Sequence, residues 1–197
     1  NMIEKMRNMK LRSRMLLSYA VIIVICLIAS IVALFMLNKI GDNLTSFYNN
    51  NYTVTVNVWQ AKREMQAARA DILNAILDSD ANKIEESIEE AKGSLKKMRG
   101  TFPVIRESFK GDLGLVDEVD SLLQQAIVYR DQVFERIEAG EHDEAYQIMK
   151  TYYIPLLDQM ANTLQDIADV AGENALHMVE DGEHAQTSAM VTIILII

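Results

Sequence analysis

The amino-acid sequence predicts an all-α fold: an antiparallel up-down four-helix bundle continuous with two transmembrane helices, the second of them truncated. Residues are 50% hydrophobic, yet the chain has only 8 glycines and 2 prolines from which to build turns. Between residues 38 and 184 apolar residues recur in steps of three and four, and charge-free apolar runs flank this region. Helices that bury one apolar stripe against each other account for all of these observations.

The N-terminal region predicts a membrane anchor. Residues 1–14 form a basic tail with 5 basic residues and 1 acidic residue, and no charge occurs from Met15 to Leu37. A helix rises about 1.5 Å per residue, so this run crosses a hydrocarbon core of roughly 30 Å and exceeds the apolar region of a cleaved signal peptide. We predict a transmembrane helix at residues 15–37, and the positive-inside rule places the tail in the cytoplasm and residues 38–184 outside.

Two heptad-like repeats predict the first two helices of the bundle. The first repeat comprises Ile40, Leu44, Phe47, Asn51, Val54, Val58, Ala61, Met65, Ala68, Ile72 and Ala75. The second comprises Ile84, Ile88, Ala91, Leu95, Met98, Phe102, Ile105 and Phe109. The sequence DSD, residues 78–80, supplies an N-cap between them, and Pro103 after Gly100 predicts a kink in the second helix.

The remaining two helices follow from the same spacing. The third repeat comprises Val116, Val119, Leu123, Ala126, Val133 and Ile137, and Arg130 interrupts it. The fourth comprises Tyr153, Leu157, Met160, Leu164, Ile167, Ala171, Asn174 and Met178, with Pro155 near its start. Residues 185–197 are 13 uncharged residues, fewer than the roughly 20 that span a bilayer, and we predict them to be the start of a second transmembrane helix.

Composition and motifs exclude several functions. Residues 38–184 hold 14 of the 19 basic and 27 of the 28 acidic residues, which argues against a nucleic-acid partner. Cys26 is the only cysteine and lies within the first span, so no disulfide is expected. No nucleophile elbow, phosphate loop or metal-ligand spacing of histidines occurs, and we predict neither enzyme activity nor a cofactor or metal.

One stretch partly matches a calcium-binding loop. Asp78, Asp80, Asn82 and Glu89 fall at the first, third, fifth and twelfth positions of such a loop. Lys83, however, occupies the position that requires glycine for the sharp turn. We interpret the stretch as a helix N-cap followed by an acidic first turn.

Two cations of the first helix are candidates for anion binding. Lys62, Gln66 and Arg69 fall within about 60° of each other on a helical wheel, on a stripe beside the core repeat. The wheel predicts that the stripe continues into the apolar residues Val58, Leu73 and Ile76 and that Arg63 points to solvent. Either this face meets a second subunit around a buried anion, or both cations pair with acids on the surface, where each pair contributes about 0–1 kcal/mol.

The tail, the uncleaved span, the bundle and the return span together resemble the N-terminal half of bacterial methyl-accepting chemotaxis receptors. FYNNNYTVTVNVWQAKREMQAARADIL, residues 47–73, resembles the first sensor helix of that family, and EAGEHDEAYQIMKTYYIPLLDQM, residues 138–160, resembles its turn before the last helix. The resemblance implies a homodimer in the bacterial inner membrane, multi-pass, with an extracytoplasmic sensor domain and a small-molecule ligand. A cytoplasmic kinase and its adaptor would be engaged through a C-terminal region beyond Ile197.

The resemblance also implies a ligand site. In the aspartate and serine receptors of this family, arginines of the first helices hold the ligand's carboxylates, and the start of the fourth helix supplies further contacts. Arg69 matches one of these arginines, but Glu64 and Leu73 stand where the family pattern has others. The fourth-helix pattern is Tyr152-x-x-Pro155 followed by Leu156 instead of threonine. We predict Arg69, Lys62, Gln66, Tyr152 and Leu156 as ligand-binding residues for a small monocarboxylate or an aromatic acid.

Three alternatives remain open from the sequence. The chain could instead be the input domain of a sensor histidine kinase or of a cyclic-dinucleotide enzyme. A ligand-free structural bundle could instead sense a partner protein or the membrane itself. Tyr152 and Tyr153, beside Pro155, could likewise wall a pocket or simply belong to the core and rim of the bundle.

Overall fold

A computed structural model describes residues 11–196, and over these residues the protein is helical and contains no strand. Most of the predicted basic tail lies outside the described residues. Within residues 11–196, six α-helices and two π-helical segments follow each other. They are α1 (Leu11–Ser46), the first π segment (Phe47–Tyr52), α2 (Thr53–Leu77), α3 (Ala81–Ser108), α4 (Leu113–Glu138), α5 (His142–Ile148), the second π segment (Met149–Tyr153) and α6 (Ile154–Ile196).

The chain divides into two units. The bundle unit comprises Ser46–Leu176, and the other unit comprises the chain up to Thr45 together with residues from His177 onward. The bundle unit contains four long helical stretches. The first bundle helix is the first π segment with α2, the second is α3, the third is α4, and the fourth is α5, the second π segment and α6 up to Leu176. The predicted all-α four-helix bundle is confirmed.

Short polar turns set the ends of the bundle helices. The Asp80 carboxylate accepts a hydrogen bond from the backbone N–H of Asn82 at 3.0 Å, so it caps the start of α3 as predicted. Asp112 caps α4 in the same way by accepting from the N–H of Gly114 at 2.8 Å. Gly140 ends the third bundle helix with φ of 75°, a left-handed conformation that glycine adopts without steric cost. The predicted N-cap is confirmed, but the predicted acidic first turn is wrong, because the first turn of α3 contains no acid and the acids begin at Glu85. Among the described residues no group of three or more His, Cys, Asp or Glu side chains could hold a metal ion.

The predicted apolar repeats form the core of the bundle, except for Ile40, Leu44 and Phe47 at the start of the first repeat, which are exposed. On the first bundle helix every repeat position from Asn51 to Ala75 is buried, and we call these residues the inner seam. The core positions of the other three helices are the predicted ones with few changes. The apolar residues Leu122, Ala145, Met149 and Ala168 are buried in addition, whereas Ile84 and Asn174 are only partly buried, as is Met178 of the other unit. Burial of these stripes holds the four helices together, since no disulfide is available.

The prolines do not end the helices in which they lie. α3 continues from Ala81 to Ser108 through Pro103. Pro155 is the second residue of α6 and directly follows the second π segment. Because a proline has no N–H to donate, it leaves a carbonyl of the preceding turn without its helical partner, and a π turn is one way to accommodate that break. The predicted kink at Pro103 stays a prediction.

In the other unit, α1 has the properties expected of a membrane span. One helix of the described part of the chain, near the N-terminus, is long and apolar enough to cross a membrane. Its large apolar side chains are exposed, which suits contact with lipid; they include Leu16, Ile22, Ile23, Leu27, Leu34 and Phe35. The predicted second span reaches Ile197, outside the described residues, and stays a prediction.

A matched pair of valines on α4 tests the core. Val133 is fully buried and Val128 is 54% exposed. We expect Val133→Ala to lower the free energy of unfolding by about 1.5–3 kcal/mol, because two methyl groups leave a close-packed site. Val128→Ala should change it by less than about 0.5 kcal/mol. Urea unfolding of the chain in detergent micelles, followed by circular dichroism, measures both; equal effects would contradict this packing.

Candidate functional site

A second stripe of 3–4 spacing runs along the outside of the first bundle helix. Its members share a helix face, and not one of them is fully buried. They are Tyr48, Tyr52, Thr55, Trp59, Lys62, Gln66, Arg69, Leu73 and Leu77, which we call the outer seam. Four apolar side chains of this seam are at least half exposed: Tyr48, Tyr52, Trp59 and Leu77. The outer seam therefore has apolar ends and a polar middle formed by Lys62, Gln66 and Arg69.

Lys62 connects the outer seam to the fourth bundle helix. Its ammonium Nζ donates a hydrogen bond to Oε1 of Gln165 at 2.7 Å and lies 5.2 Å from the centre of the Trp59 ring, a cation–π distance. The amide Nε2 of Gln165 in turn donates to Oδ1 of Asp169 at 2.7 Å. Lys62 is thus held by a neutral amide, with a carboxylate one step further away.

Arg69 contacts the same helix one heptad further along. Its Nη1 lies 3.4 Å from Oδ1 of Asp158, and the Arg69 and Asp158 side chains are 31% and 58% exposed. A pair this long and this accessible to water contributes about 0–1 kcal/mol to stability. Arg69 lies seven residues after Lys62 on the first bundle helix, and Asp158 lies seven residues before Gln165 on the fourth. The two helices are therefore antiparallel neighbours. Within one chain, therefore, Arg69 has the acidic surface partner of the second interpretation, whereas Lys62 contacts a neutral amide. The ligand role of both residues stays a prediction.

Two details of the predicted stripe need correction. Val58 and Ile76 are 0% and 4% exposed, so they belong to the core and do not continue the face of Lys62. The apolar ends of the cationic face are instead the exposed residues Tyr48, Tyr52, Trp59 and Leu77. Arg63 is 74% exposed as expected, but it also pairs at 2.8 Å with Glu64, which is almost fully buried.

The structure places Tyr152 and Leu156 away from Arg69 within one chain. Asp158, the partner of Arg69, is two residues after Leu156, which separates their directions by about 200° around the helix. Leu156 packs against the core, and the Tyr152 ring stacks on Tyr129 of α4 at 4.9 Å with 6° between the planes. A ligand role for these two residues stays a prediction.

Tyr153, next to this stack, is buried. Its pKa is raised to about 12, mainly because burial disfavours the charged phenolate; nearby Arg130 lowers the pKa and Asp131 raises it. Tyr153 therefore belongs to the core, and Arg130 of α4 is close enough to act on it electrostatically.

The sequence missed Trp59 as a member of the site. Its signal was present, because positions 48, 52, 55, 59, 62, 66, 69 and 73 alternate steps of four and three as the core does, and position 77 follows by one further step of four. Which of two adjacent stripes a residue joins depends on how the helix is rotated in the bundle. That rotation is set by the other three helices.

Comparison with protein families matches residues 8–185 to the family described as a four helix bundle sensory module for signal transduction. The match covers both units and confirms the resemblance to chemotaxis receptor sensors. Its description concerns signalling, not catalysis. No curated protein and no solved structure matches the chain.

The raised pKa of Tyr153 predicts a loss of stability in alkali. In the unfolded chain the hydroxyl ionises near its ordinary pKa of 10.0, but in the folded chain only near 12. Its contribution is therefore complete below pH 10 and is lost as the pH rises toward 12, up to about 3 kcal/mol. Tyr153→Phe should remove this part of the pH dependence, as measured by urea unfolding from pH 8 to 11.5. An unchanged slope would show that the phenol is accessible to water, and Tyr152→Phe, at an exposed ring, is the control.

Proposed function

The chain belongs to the family of four-helix-bundle sensory modules for signal transduction, and from this membership we propose that it is the sensor of a transmembrane chemoreceptor. In this proposal it forms a homodimer and binds a small organic or aromatic acid at the dimer interface. The observation that carries the proposal is the outer seam, with its exposed aromatic ends and cationic middle. A solvated helix face has no need of such a pattern.

The proposed partner of the outer seam is the same seam of a second copy. Two copies anchored by the same span enter the membrane in the same direction, so their first helices would pair in parallel, and heptad spacing suits such a pair. Aromatic side chains are enriched at protein interfaces, and Tyr48 and Tyr52 already stack at 5.4 Å in one chain. In a parallel two-fold pair each seam residue faces its own equivalent.

This symmetry supplies the reason for an anionic ligand. Lys62 and Arg69 of one copy would lie near the same cations of the other, and like charges at an interface repel. A carboxylate bound between them would relieve the repulsion. It could accept two parallel hydrogen bonds from the Arg69 guanidinium, a better arrangement than the single 3.4 Å contact with Asp158. Gln66 adds an exposed amide, and Trp59 a ring surface for an aromatic or apolar ligand body.

The same contacts suggest how the signal starts. Lys62–Gln165 and Arg69–Asp158 join the first bundle helix to the fourth. A ligand that takes Arg69 from Asp158 weakens one of these contacts, so it favours an arrangement in which the fourth helix is displaced along the first. A ligand shifts such an equilibrium only by its difference in affinity for the two arrangements.

We also propose where the sensor lies and which cytoplasmic proteins it would control. The sensor would lie outside the bacterial inner membrane, carried by two spans, with the basic tail in the cytoplasm. A histidine kinase and an adaptor would be reached only through a cytoplasmic region beyond Ile197. The input domain of a sensor kinase or cyclic-dinucleotide enzyme would use the same seam, so the sequence past Ile197 distinguishes the outputs.

Cysteine cross-linking tests the dimer. In a Cys26→Ser background, Gln66→Cys should form a disulfide-linked dimer in membranes under mild oxidation, because seam residues of the two copies would approach within disulfide range. Arg63→Cys, on the same helix but directed to solvent, is the matched control and should link far less. Equal linking of the two variants, or linking of Arg63→Cys alone, would contradict pairing through the outer seam.

Trp59 is the only tryptophan and reports on ligand binding. We expect benzoate or acetate to change its emission in the chain in detergent micelles. Arg69→Ala should weaken the apparent affinity at least tenfold, because a charge-assisted contact is lost. The same substitution should lower the unfolding free energy by less than about 1 kcal/mol.

Arg63→Ala removes an equal charge from the exposed face one turn and a half away and should leave the affinity within about twofold. If neither acid changes the emission or the melting temperature, the ligand-free structural bundle is the better interpretation. If Arg63→Ala weakens binding as much as Arg69→Ala, general charge and not this site attracts the acid.

A further inference from the structure

A groove between the second and third bundle helices contains more positive charge than its surroundings neutralise. It has a volume of about 390 Å³. Its lining consists of four cations, one acid and two apolar residues: Lys92, Lys96, Arg99, Arg130, Asp131, Leu95 and Phe134. The chain as a whole has a net charge of −9, so this local excess is opposite in sign to the average.

Partners inside the protein account for only part of this charge. Lys92 pairs with Glu89 at 2.9 Å, and the Nε of Arg130 donates to Asp131 at 2.8 Å. The side chains of Lys96 and Arg99 form no ion pair and no hydrogen bond with any residue that the structure describes. Two cations on one side of the groove are therefore unpaired, one turn of α3 apart and on the same face.

The adjoining part of the same helix pair shows how this protein neutralises a cation that has only a structural role. Arg106, also on α3, lies between Asp117 and Asp120 of α4, at 2.7 Å from each. These carboxylates raise the pKa of Arg106. At this point two acids of α4 thus face a single arginine of α3. Along the groove, by contrast, Arg130 of α4 faces the α3 cations Lys96 and Arg99.

Arg130 itself stands at a core position of the third repeat, between Ala126 and Val133, and interrupts an otherwise apolar seam. Its side chain is only 19% exposed, and its acid partner is the adjacent Asp131, which is 60% exposed. Burial of a guanidinium is costly unless charged partners offset it. Oδ1 of Asp131 accepts from both Nε and Nη2 of Arg130, at 2.8 and 2.5 Å, and supplies one negative charge, whereas Lys96 and Arg99 across the groove add two positive charges. An anion in the groove would offset this excess.

We propose that this groove is a binding site for a small organic polycarboxylate. Two carboxylates would be held by Lys96 and Arg99 on one wall and by Arg130 on the other, as charge-assisted hydrogen bonds. Leu95 and Phe134 provide apolar surface for the hydrocarbon between the carboxylates. The site lies on α3 and α4, so it shares no residue with the outer seam and stands or falls independently of the proposed function.

Calorimetric titration of the chain in detergent micelles with citrate and with succinate, at low salt, tests the site. We expect binding that Lys96→Gln with Arg99→Gln weakens at least tenfold, since two charge-assisted contacts are lost. Both side chains are exposed and unpaired, so the double variant should keep the melting temperature of the parent. Lys83→Gln with Lys97→Gln removes the same charge from the same helix outside the groove and should leave the affinity within about twofold.

Each other outcome overturns the proposal. Absence of citrate and succinate binding, or an equal loss in both double variants, would show that no specific site exists. Phosphate or sulfate binding more tightly than both carboxylates would exclude the polycarboxylate as the ligand class. Citrate binding that Arg69→Ala abolishes and Lys96→Gln with Arg99→Gln does not would assign the anion to the outer seam instead.

Discussion

Each helix of the bundle must bury one apolar stripe, and the rest of the molecule depends on this constraint. The inner seam sets the rotation of the first bundle helix, because its residues are removed from water together. Once that rotation is set, the positions of the polar residues follow. Lys62 and Arg69 then lie at the edge of the core, where their long side chains reach Gln165 and Asp158, whereas Arg63 is left in water.

The core could be predicted from the sequence because its signal is local and repeated. The edges of the stripes could not. Ile76 looked like a continuation of the cationic face, but the neighbouring helices widen the buried stripe enough to include it. Val58, which the sequence placed on both stripes, belongs to the core alone. The partner of Tyr152 was equally hidden, since the stack on Tyr129 depends on the rotation of α4 and on the π segment before α6. The spacing of residues along one helix encodes neither the rotation of α4 nor the π segment before α6.

Arg130 shows what an exception to a pattern can and cannot indicate. The sequence marked it as an interruption in the third repeat, which identified a residue with a reason other than packing. The residues around Arg130 could be identified only from the structure, because Lys96 and Arg99 belong to α3, a different helix. When α3 is considered alone, both are ordinary surface cations. The informative feature is the combination of a mostly buried guanidinium with two unpaired cations across a groove.

The cation pair Lys62 and Arg69 and the cationic groove of Lys96, Arg99 and Arg130 both lie where antiparallel helices meet, the first between the first and fourth bundle helices and the second between the second and third. A physical connection between them exists in the fourth helix. Arg130 acts electrostatically on Tyr153, which lies near the start of α6, and Asp158, the partner of Arg69, follows just over one turn later. An anion beside Arg130 and an anion beside Arg69 would therefore act on the same segment. If both sites are occupied, thermodynamic linkage requires that each ligand alter the affinity of the other by the same factor, whichever one the cell uses as its signal.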